Sequence, residues 1–349
     1  MKYEEDKQIK KQASNIDEEG NVLYLDEERL KRKEVGFPPF KNHPNGLGIY
    51  NFIKEHVIYM RKSLWPLALK LYHMFVKYSV WMKQGGWKGE FYKRGIMLAP
   101  DMETHTSTVV LPLNVDVTEK GEKVVVPMDI IKESLKKVTY IAGMDTCLCR
   151  EATDCQDYPK DIACLFLGEA GKIVVKHGLG KEFTYEEACE RVDQAAAHGL
   201  MGHAVWIEVE QLLWGIRNDL MDQFLEICFC CPCCCIALKL ARNATPKERH
   251  RFHPAGWTAV PDRTKCVGCG MCNEGPHGCP VEAISFDEDG KVVINQEICV
   301  GCGICKSKCP SEVIKIKQTM PMREDLYDYF ATDYNLDLKI WNEDENGRD

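Results

Sequence analysis

The feature that most constrains the fold of this 349-residue chain is a duplicated cysteine motif between residues 264 and 317. Residues 265–272 read KCVGCGMC, residues 298–305 read ICVGCGIC, and each half ends in Cys-Pro, at Cys279 and at Cys309. Three thiolates at C-x2-C-x2-C spacing can wrap one face of an iron–sulfur cubane, and the intervening glycines let backbone amides approach the sulfurs. The repeat therefore predicts two cluster-binding halves.

This repeat resembles the bacterial two-[4Fe-4S] ferredoxins, in which the fourth cysteine of each half ligates the other cluster. The resemblance implies two ligand sets, which are Cys266, Cys269, Cys272 and Cys309 for cluster 1, and Cys299, Cys302, Cys305 and Cys279 for cluster 2. One departure is that six residues separate Cys272 from Cys279, where the family has three. The longer loop is expected to change solvent access around the second cluster, and with it the reduction potential. Two zinc sites, the alternative, would require C-x2-C pairs rather than triplets followed by Cys-Pro.

The chain contains 19 cysteines, and the eleven outside this repeat form two groups and one isolated position. The groups are Cys147, Cys149, Cys155 and Cys164, and then Cys228, Cys230, Cys231, Cys233, Cys234 and Cys235. The isolated Cys189 lies in a predicted alanine-rich helix and is interpreted as a small core residue. Together the two groups supply enough thiolates for a third iron–sulfur cluster.

Four interpretations of these thiols remain open from the sequence. The first is a third cubane held by Cys147, Cys149 and Cys155 with at least one thiol from residues 230–235. The others are a catalytic or non-cubane metal site, a redox dithiol in which Arg150 lowers the pKa of a neighbouring thiol, and structural zinc. The candidate ligands of a third cluster are Cys147, Cys149, Cys155, Cys164, Cys230, Cys231, Cys233 and Cys234.

His203, at the end of the segment GLMGH, is a further candidate, either as a metal ligand or as a proton shuttle. The alternative is a histidine that caps a helix or packs in the core. The region 138–317 is similar to uncharacterised anaerobe ferredoxin-like proteins, in which a cysteine-rich N-terminal domain precedes a dicluster module. That similarity implies the order of the domains and no particular reaction.

The predicted fold class is α+β, with a cysteine-rich α/β N-terminal domain followed by a small ferredoxin-like domain of βαββαβ type and pseudo-twofold symmetry. Shifts in composition divide the chain into six predicted segments. They are a charged arm (1–50), an amphipathic helical segment (51–105), a cysteine-rich domain (106–243), a linker (244–263), the ferredoxin domain (264–317) and an acidic aromatic tail (318–349). The tail is expected to pack over the surface or to contact a partner.

Local patterns predict several elements of the cysteine-rich domain. They are a hairpin over 109–117 and 123–126, a helix over 127–137, a short strand over 138–142, a helix from a capping box at Thr184 to Gly199, and a second helix over about 207–226.

The segment 57–82 is strongly apolar, but only seven residues separate Lys62 from Lys70. No uninterrupted span of ~20 apolar residues exists there, so the sequence predicts no transmembrane helix. Pro66 is expected in the first turn of a helix. That helix can lie in a membrane interface, dock in the groove of a partner, or pack on its own domain.

The formal net charge of −8 argues against a general nucleic-acid binder, which needs a basic face. Residues 1–7 lack the apolar segment of a signal peptide, and intracellular cysteines more often bind metal or do redox chemistry. No Walker loop or helix-opening GxGxxG motif supports a nucleotide-dependent mechanism. The sequence therefore predicts a cytoplasmic, anaerobic electron carrier with two [4Fe-4S] clusters and a third iron–sulfur cluster in its N-terminal domain.

The main alternative is an iron–sulfur oxidoreductase whose cysteine-rich domain binds a substrate and is fed by the ferredoxin clusters. A carrier or a subunit of an oxidoreductase is favoured over a stand-alone enzyme. A third interpretation is an adaptor that docks a redox complex at a membrane peripherally, through residues 57–82. The predicted partners are redox proteins with basic docking faces, since the chain is acidic, and no nucleic acid.

Overall fold

The computed structural model describes residues 60–96, 106–113, 127–207, 210–216, 218–249, 251–321, 323, 325–334 and 336–342. The predicted charged arm and the predicted strand over 123–126 lie outside this part of the chain. Helices and mixed sheets combine in an α+β fold, as the sequence predicts.

Short strands and helices alternate along most of the described chain. The strands are β1 (Thr106–Leu111), β2 (Ile141–Met144), β3 (Leu165–Leu167), β4 (Gly180–Glu182), β5 (Met201–Ile207), β6 (Leu225–Cys230), β7 (Phe252–Pro254), β8 (Trp257–Pro261), β9 (Ile284–Phe286), β10 (Val292–Ile294) and β11 (Ile314–Gln318). The α-helices are α1 (Trp65–Gln84), α2 (Gly86–Phe91), α3 (Pro127–Lys137), α4 (Leu148–Ala152), α5 (Lys172–Lys176), α6 (Tyr185–Ala197), α7 (Glu210–Trp214), α8 (Ile236–Asn243), α9 (Pro246–Arg249), α10 (Ile304–Ser307) and α11 (Leu326–Asp328). Short 3-10 turns lie at Lys62–Leu64, Glu169–Gly171, Asn218–Gln223, Met271–Asn273 and Gly275–His277, and π-helical turns at Tyr92–Ile96 and Tyr329–Asp333.

A seven-stranded sheet with the order β4-β2-β3-β6-β5-β1-β7 forms the centre of the N-terminal domain. Neighbouring strands are antiparallel except β1 and β7, which run parallel. Strands β1 and β5 are buried along their whole length, which indicates that both faces of the sheet are covered. Ile131 of α3 packs over Gly202 on one face, and α1 lies over the other, where it contacts α4 and α8.

The ferredoxin module follows the predicted order of strand, helix, strand, strand, helix, strand. Its first strand, β8, pairs antiparallel with its last, β11, and β9 pairs antiparallel with β10. The short helical turns that carry the third cysteine of each triplet, Met271–Asn273 and α10, occupy equivalent positions in the two halves. This arrangement is the pseudo-twofold architecture that the repeat predicts.

The segment 244–263, predicted to be a linker, is instead structured. It contains β7, which pairs with β1 at the edge of the seven-stranded sheet, and β8, which belongs to the ferredoxin module. Phe252 and Trp257 are buried. Pro254 and Pro261, which suggest a linker, are the last residues of these two short strands.

The described part of the acidic aromatic tail packs against the N-terminal domain, where its aromatic side chains are buried. Leu326, Tyr329, Phe330 and Tyr334 are at most 1% exposed. The backbone N–H of Leu326 donates to Ser134 Oγ in α3 at 2.9 Å. The near-helical spacing of these side chains gives the segment one apolar face, which the domain covers.

Several local predictions are confirmed. Helix α3 spans the predicted residues, and the capping box of Thr184 and Glu187 is present in both directions. Gly199, after the end of α6, has a φ of 68°. Pro66 lies in the first turn of α1.

The helix predicted over 207–226 is wrong. Strand β5 ends at Ile207, α7 spans only five residues, and Gly215 interrupts the pattern with a φ of 75°. The apolar residues from Leu225 onward form β6, which pairs with β3 and β5. The strand predicted over 138–142 begins three residues later, at Ile141.

Helix α1 packs on its own domain through Ala68, Tyr72 and Met82, which are buried. Its other face is exposed at Leu67 and Val80. No helix in the described residues is both long and apolar enough to span a bilayer. Contact of the exposed face with a membrane or a partner stays a prediction.

Candidate metal centres

The four cysteines predicted for cluster 1 surround a cavity of about 20 Å³. They are Cys266, Cys269, Cys272 and Cys309. The backbone N–H of Val292 donates to Cys266 Sγ at 3.5 Å, an arrangement that favours a thiolate. One ligand faces solvent, at Cys269, and one is buried, at Cys272. The thiol donors, the cavity and the amide contact all fit a cubane at this position.

The four cysteines predicted for cluster 2 also lie close together, since their thiols interact electrostatically with one another. They are Cys279, Cys299, Cys302 and Cys305. The N–H of Ala283 donates to Cys279 Sγ at 3.2 Å. Burial raises the pKa of the Cys302 and Cys305 thiols, so this set lies in a drier environment than that of cluster 1.

Gly301 allows the cluster 2 loop to pass close to strand β8. Its φ is 68°, and a Cβ on this residue would lie 1.9 Å from the carbonyl oxygen of Trp257. Only glycine fits this position, because both the backbone conformation and the available space exclude a side chain.

The six-residue loop between Cys272 and Cys279 contacts the N-terminal domain. Nε2 of His277 lies 3.2 Å from Oδ2 of Asp157, and the His277 ring packs against Tyr158 with centroids 6.0 Å apart. The loop that is longer than in ferredoxins thus connects the ferredoxin module with the N-terminal domain through His277. An altered potential of the second cluster stays a prediction.

Outside the module, a first group of thiols is formed by Cys155, Cys231, Cys233 and Cys234, named here the thiolate quartet. All four sulfurs lie within 4.8 Å of one another. Cys155 follows α4, and the other three lie in the turn between β6 and α8. Hydrogen bonds from Cys231 and Cys233 lower the pKa of Cys234, which also accepts a hydrogen bond from Thr153 Oγ1 at 2.9 Å. Cys234 is therefore the thiol of the quartet that ionises most readily, whereas thiol neighbours and burial raise the pKa of Cys231 and Cys233. Thiolate is the form that binds metal.

A second group, named here the thiol ring, consists of Cys147, Cys149, Cys230 and Cys235. Cys147 is hydrogen-bonded to Cys149, and Cys230 to Cys235. The two pairs interact electrostatically, Cys147 with Cys230 and Cys149 with Cys235. Hydrogen bonds from neighbouring thiols lower the pKa of Cys147 and Cys230, so each pair contains one thiol that ionises readily.

His203 lies beside the thiol ring. It is fully buried in the middle of β5, and its Nδ1 is 3.9 Å from Cys230 Sγ. Its Nε2 has no hydrogen-bond partner among the described residues. A strand position next to two thiols, rather than a helix end, makes this imidazole available as a ligand or as a proton carrier.

A third group combines two thiols with carboxylates. Cys164 Sγ lies 3.4 Å from Cys228 Sγ, which lies 3.0 Å from Oε1 of Glu226. Burial and the adjacent Glu226 raise the pKa of Glu210 well above its usual range. A raised pKa favours the protonated carboxyl over the carboxylate at this position.

The thiol ring and the third group line one cavity of about 120 Å³ beneath α1. Arg150, fully buried, reaches this region and donates from Nη1 to the carbonyl of Phe229 at 2.7 Å and from Nη2 to that of Ile162. Burial lowers the pKa of this guanidinium, but Cys147 and the neighbouring thiols raise it by more. The cation thereby offsets negative charge that accumulates on the thiolates.

The predicted ligand set of a third cluster is divided by the fold. Cys147 and Cys149 lie in the thiol ring, whereas Cys155 lies in the thiolate quartet. Cys228 is absent from the candidate ligands named from the sequence, and Cys235 enters only through the range 230–235. The fold places both with the other thiols. The signal for Cys228 is its alternation with Glu226 and Cys230, since residues i, i+2 and i+4 of a strand share one face.

Comparison with known families covers the ferredoxin module alone. Residues 265–313 match the family model of a 4Fe-4S dicluster domain. No curated protein and no solved structure matched the chain. The C-terminal module is therefore a ferredoxin-like iron–sulfur domain, which supports a role in electron transfer.

Proposed function

We propose that this protein relays single low-potential electrons through two [4Fe-4S] clusters in the ferredoxin module and a third iron–sulfur cluster in a cysteine-rich N-terminal domain fused to it. Such clusters accept and release one electron at a time. The observation that carries the proposal is a cavity lined by the two hydrogen-bonded thiol pairs of the thiol ring, in a chain that also contains a dicluster module. The thiol ring supplies the ligands of the third cluster.

Exposure around cluster 1 supports electron exchange with a partner at that end of the module. Val267 is 72% exposed, and Met271 and Phe286 are also exposed. Val267 and Phe286 line the same small cavity as the cluster 1 cysteines. An apolar rim next to an exposed ligand, Cys269, suits a transient redox interface.

Cluster 2 faces the other way, toward the thiol ring. Cys279, Cys299 and Cys302 pack against the same buried apolar group as Cys230 and Cys235. Val281, Val300 and Ile304 belong to that group together with residues of α8, which begins immediately after Cys235. The proposed route therefore runs from a partner to cluster 1, then to cluster 2, and then to the thiol ring.

The test is the iron and acid-labile sulfide content of anaerobically purified full-length protein, with EPR after dithionite reduction. We expect about twelve cluster irons per chain, since each cubane holds four. Cys149→Ser should remove about four of them and one EPR signal, while Cys189→Ser, in helix α6, should remove none. A wild-type content of about eight irons would refute the third cluster.

A second candidate function is favoured by the cavity itself. Its wall includes the raised-pKa carboxyl of Glu210 and apolar side chains such as Ile207, Leu213 and Trp214. A buried acid next to an electron source suits the reduction of an apolar substrate, because each added electron pair needs protons.

The two functions differ in their response to a small reducible compound. We would record the EPR signal of the third cluster with and without cyclohexenone as a probe. The relay predicts an unchanged signal, and the oxidoreductase predicts a shifted signal that Glu210→Gln weakens. An unchanged signal together with twelve irons leaves the relay as the function.

A further inference from the structure

We propose that the thiolate quartet binds a single thiophilic metal ion in tetrahedral coordination, separate from every iron–sulfur cubane. Sγ of Cys233 lies 3.3 Å from that of Cys234 and 3.6 Å from that of Cys231. One ion with metal–sulfur bonds of about 2.3 Å holds its four sulfurs about 3.8 Å apart. A cubane places each cysteine on a different iron and spaces the sulfurs roughly 6 Å apart.

The ferredoxin module provides an internal comparison for this geometry. Among the described residues, its eight cysteines contain no group of three whose sulfurs all lie within 4.8 Å of one another. The cluster 1 set instead surrounds a cavity. The convergence of the thiolate quartet therefore distinguishes this site from the two cysteine sets of the ferredoxin module.

The surroundings of the quartet suit a closed metal site. Cys155, Cys231 and Cys234 are buried, and Cys233 is half-buried. The hydroxyl of Thr153 donates to Cys234 Sγ, a contact of the kind that orients metal-bound thiolates. Four protein sulfurs leave no open coordination position, so the site is structural rather than catalytic.

The ion would join two segments that are far apart in the sequence. Cys155 precedes Asp157 and Tyr158, the residues that His277 of the ferredoxin loop contacts. The other three ligands fix the turn that ends in Cys235, a member of the thiol ring. The metal therefore stabilises the surface on which the ferredoxin module docks, a role that goes beyond the proposed electron relay.

The first test is metal analysis of the full chain, purified anaerobically, combined with X-ray absorption at the zinc and iron edges. We expect one equivalent of a mononuclear ion bound by four sulfurs at about 2.3 Å. Zinc would give this signature at the zinc edge, whereas iron would add a high-spin ferric EPR signal after mild oxidation. Absence of both signatures would overturn the proposal.

Substitutions then assign the ion to the quartet. Cys233→Ser should remove the mononuclear ion and leave cluster iron and sulfide unchanged, and Cys189→Ser should leave both unchanged. Cys155→His should retain the ion with three sulfurs and one nitrogen, because imidazole replaces thiolate in tetrahedral sites. Loss of about four irons with their sulfide in Cys233→Ser would instead identify the quartet as cubane ligands and overturn the proposal.

Discussion

The ring of Tyr158 packs against the ring of His277, with centroids 6.0 Å apart. Tyr158 lies three residues after Cys155, and His277 lies in the loop that separates Cys272 from Cys279. The two side chains join the cysteine-rich domain to the ferredoxin module at the point where the module departs from ferredoxin spacing. The extra residues of the loop therefore contact the cysteine-rich domain at Asp157 and Tyr158.

We expect the pairing of His277 with Asp157 to contribute less than about 1 kcal/mol, because the Asp157 carboxylate is largely solvated. A double-mutant cycle with His277→Ala and Asp157→Asn, followed by urea unfolding under anaerobic conditions, measures this coupling. Both single variants should keep the iron content of the wild type. A coupling of several kcal/mol would show that the docking contact is a main source of stability.

Gly301→Ala should destabilise the ferredoxin module and reduce its iron content. The positive φ costs about 1–2 kcal/mol for an L-residue, and the new Cβ would in addition collide with the carbonyl of Trp257. Gly270→Ala is the matched control, since Gly270 has a φ of 73° but a Cβ there would meet no atom within 4 Å. Thermal unfolding and iron content should therefore change more for Gly301→Ala. Equal effects of the two variants would contradict the close approach.

Tyr72→Phe should loosen the turn that carries three cysteines of the thiolate quartet. The hydroxyl of this buried side chain donates to the carbonyl of Cys234 and accepts from Nζ of Lys239 at 3.1 Å. Its removal leaves a buried carbonyl without that donor, at a cost of about 1–3 kcal/mol. We expect metal bound by the quartet to be lost more readily to a chelator.

Tyr92→Phe is the control for this substitution. Like Tyr72, Tyr92 donates from its hydroxyl to a backbone carbonyl, in this case that of Phe75 in α1 at 2.9 Å. This bond does not involve the cysteine turn. Its loss should lower the free energy of unfolding by a similar amount without changing the chelation rate. Equal chelation rates in Tyr72→Phe and the wild type would contradict the predicted link.

The stability of the protein should depend on pH through Asp333. Burial raises the pKa of this carboxyl to about 6, although Arg323, whose Nη2 lies 2.7 Å from Oδ1, lowers it in part. Between about pH 4 and pH 6 the folded state thus binds more protons than the unfolded state at this position. Stability from this group is present below that window and is lost as the pH rises through it, by about 3 kcal/mol in all.

Asp333→Asn should remove that part of the dependence. Urea unfolding of both proteins at about pH 5 and about pH 7 gives the comparison, and the wild type should lose more stability than the variant between the two conditions. A decline of the same size in both proteins would show that other groups account for it.

Features encoded by neighbouring residues are predictable from the sequence. The two cysteine triplets, the capping box at Thr184 and helix α3 each depend on spacing within a short segment, and all are present in the fold. The division of the other cysteines is not predictable in this way, because Cys155 and Cys233 meet only after the turn between β6 and α8 folds against the loop that follows α4. The helix predicted over 207–226 fails because Gly215 ends α7 and polar residues separate α7 from β6. The apolar residues of β6 form a strand through pairing with β3 and β5, which are distant in the sequence.

The ferredoxin module is attached to the N-terminal domain at both of its ends. Strand β7 leads into it from the seven-stranded sheet, and residues 325–334 and 336–342 return to that domain, where the N–H of Thr139 donates to the carbonyl of Ile340 at 2.7 Å. During synthesis, the host core therefore lacks Leu326, Phe330 and Tyr334 until the whole module has been translated. The core of the N-terminal domain is thus completed only after the cluster-binding segment has been synthesised. Assembly of the clusters can therefore precede the packing of residues 326–334 into that core.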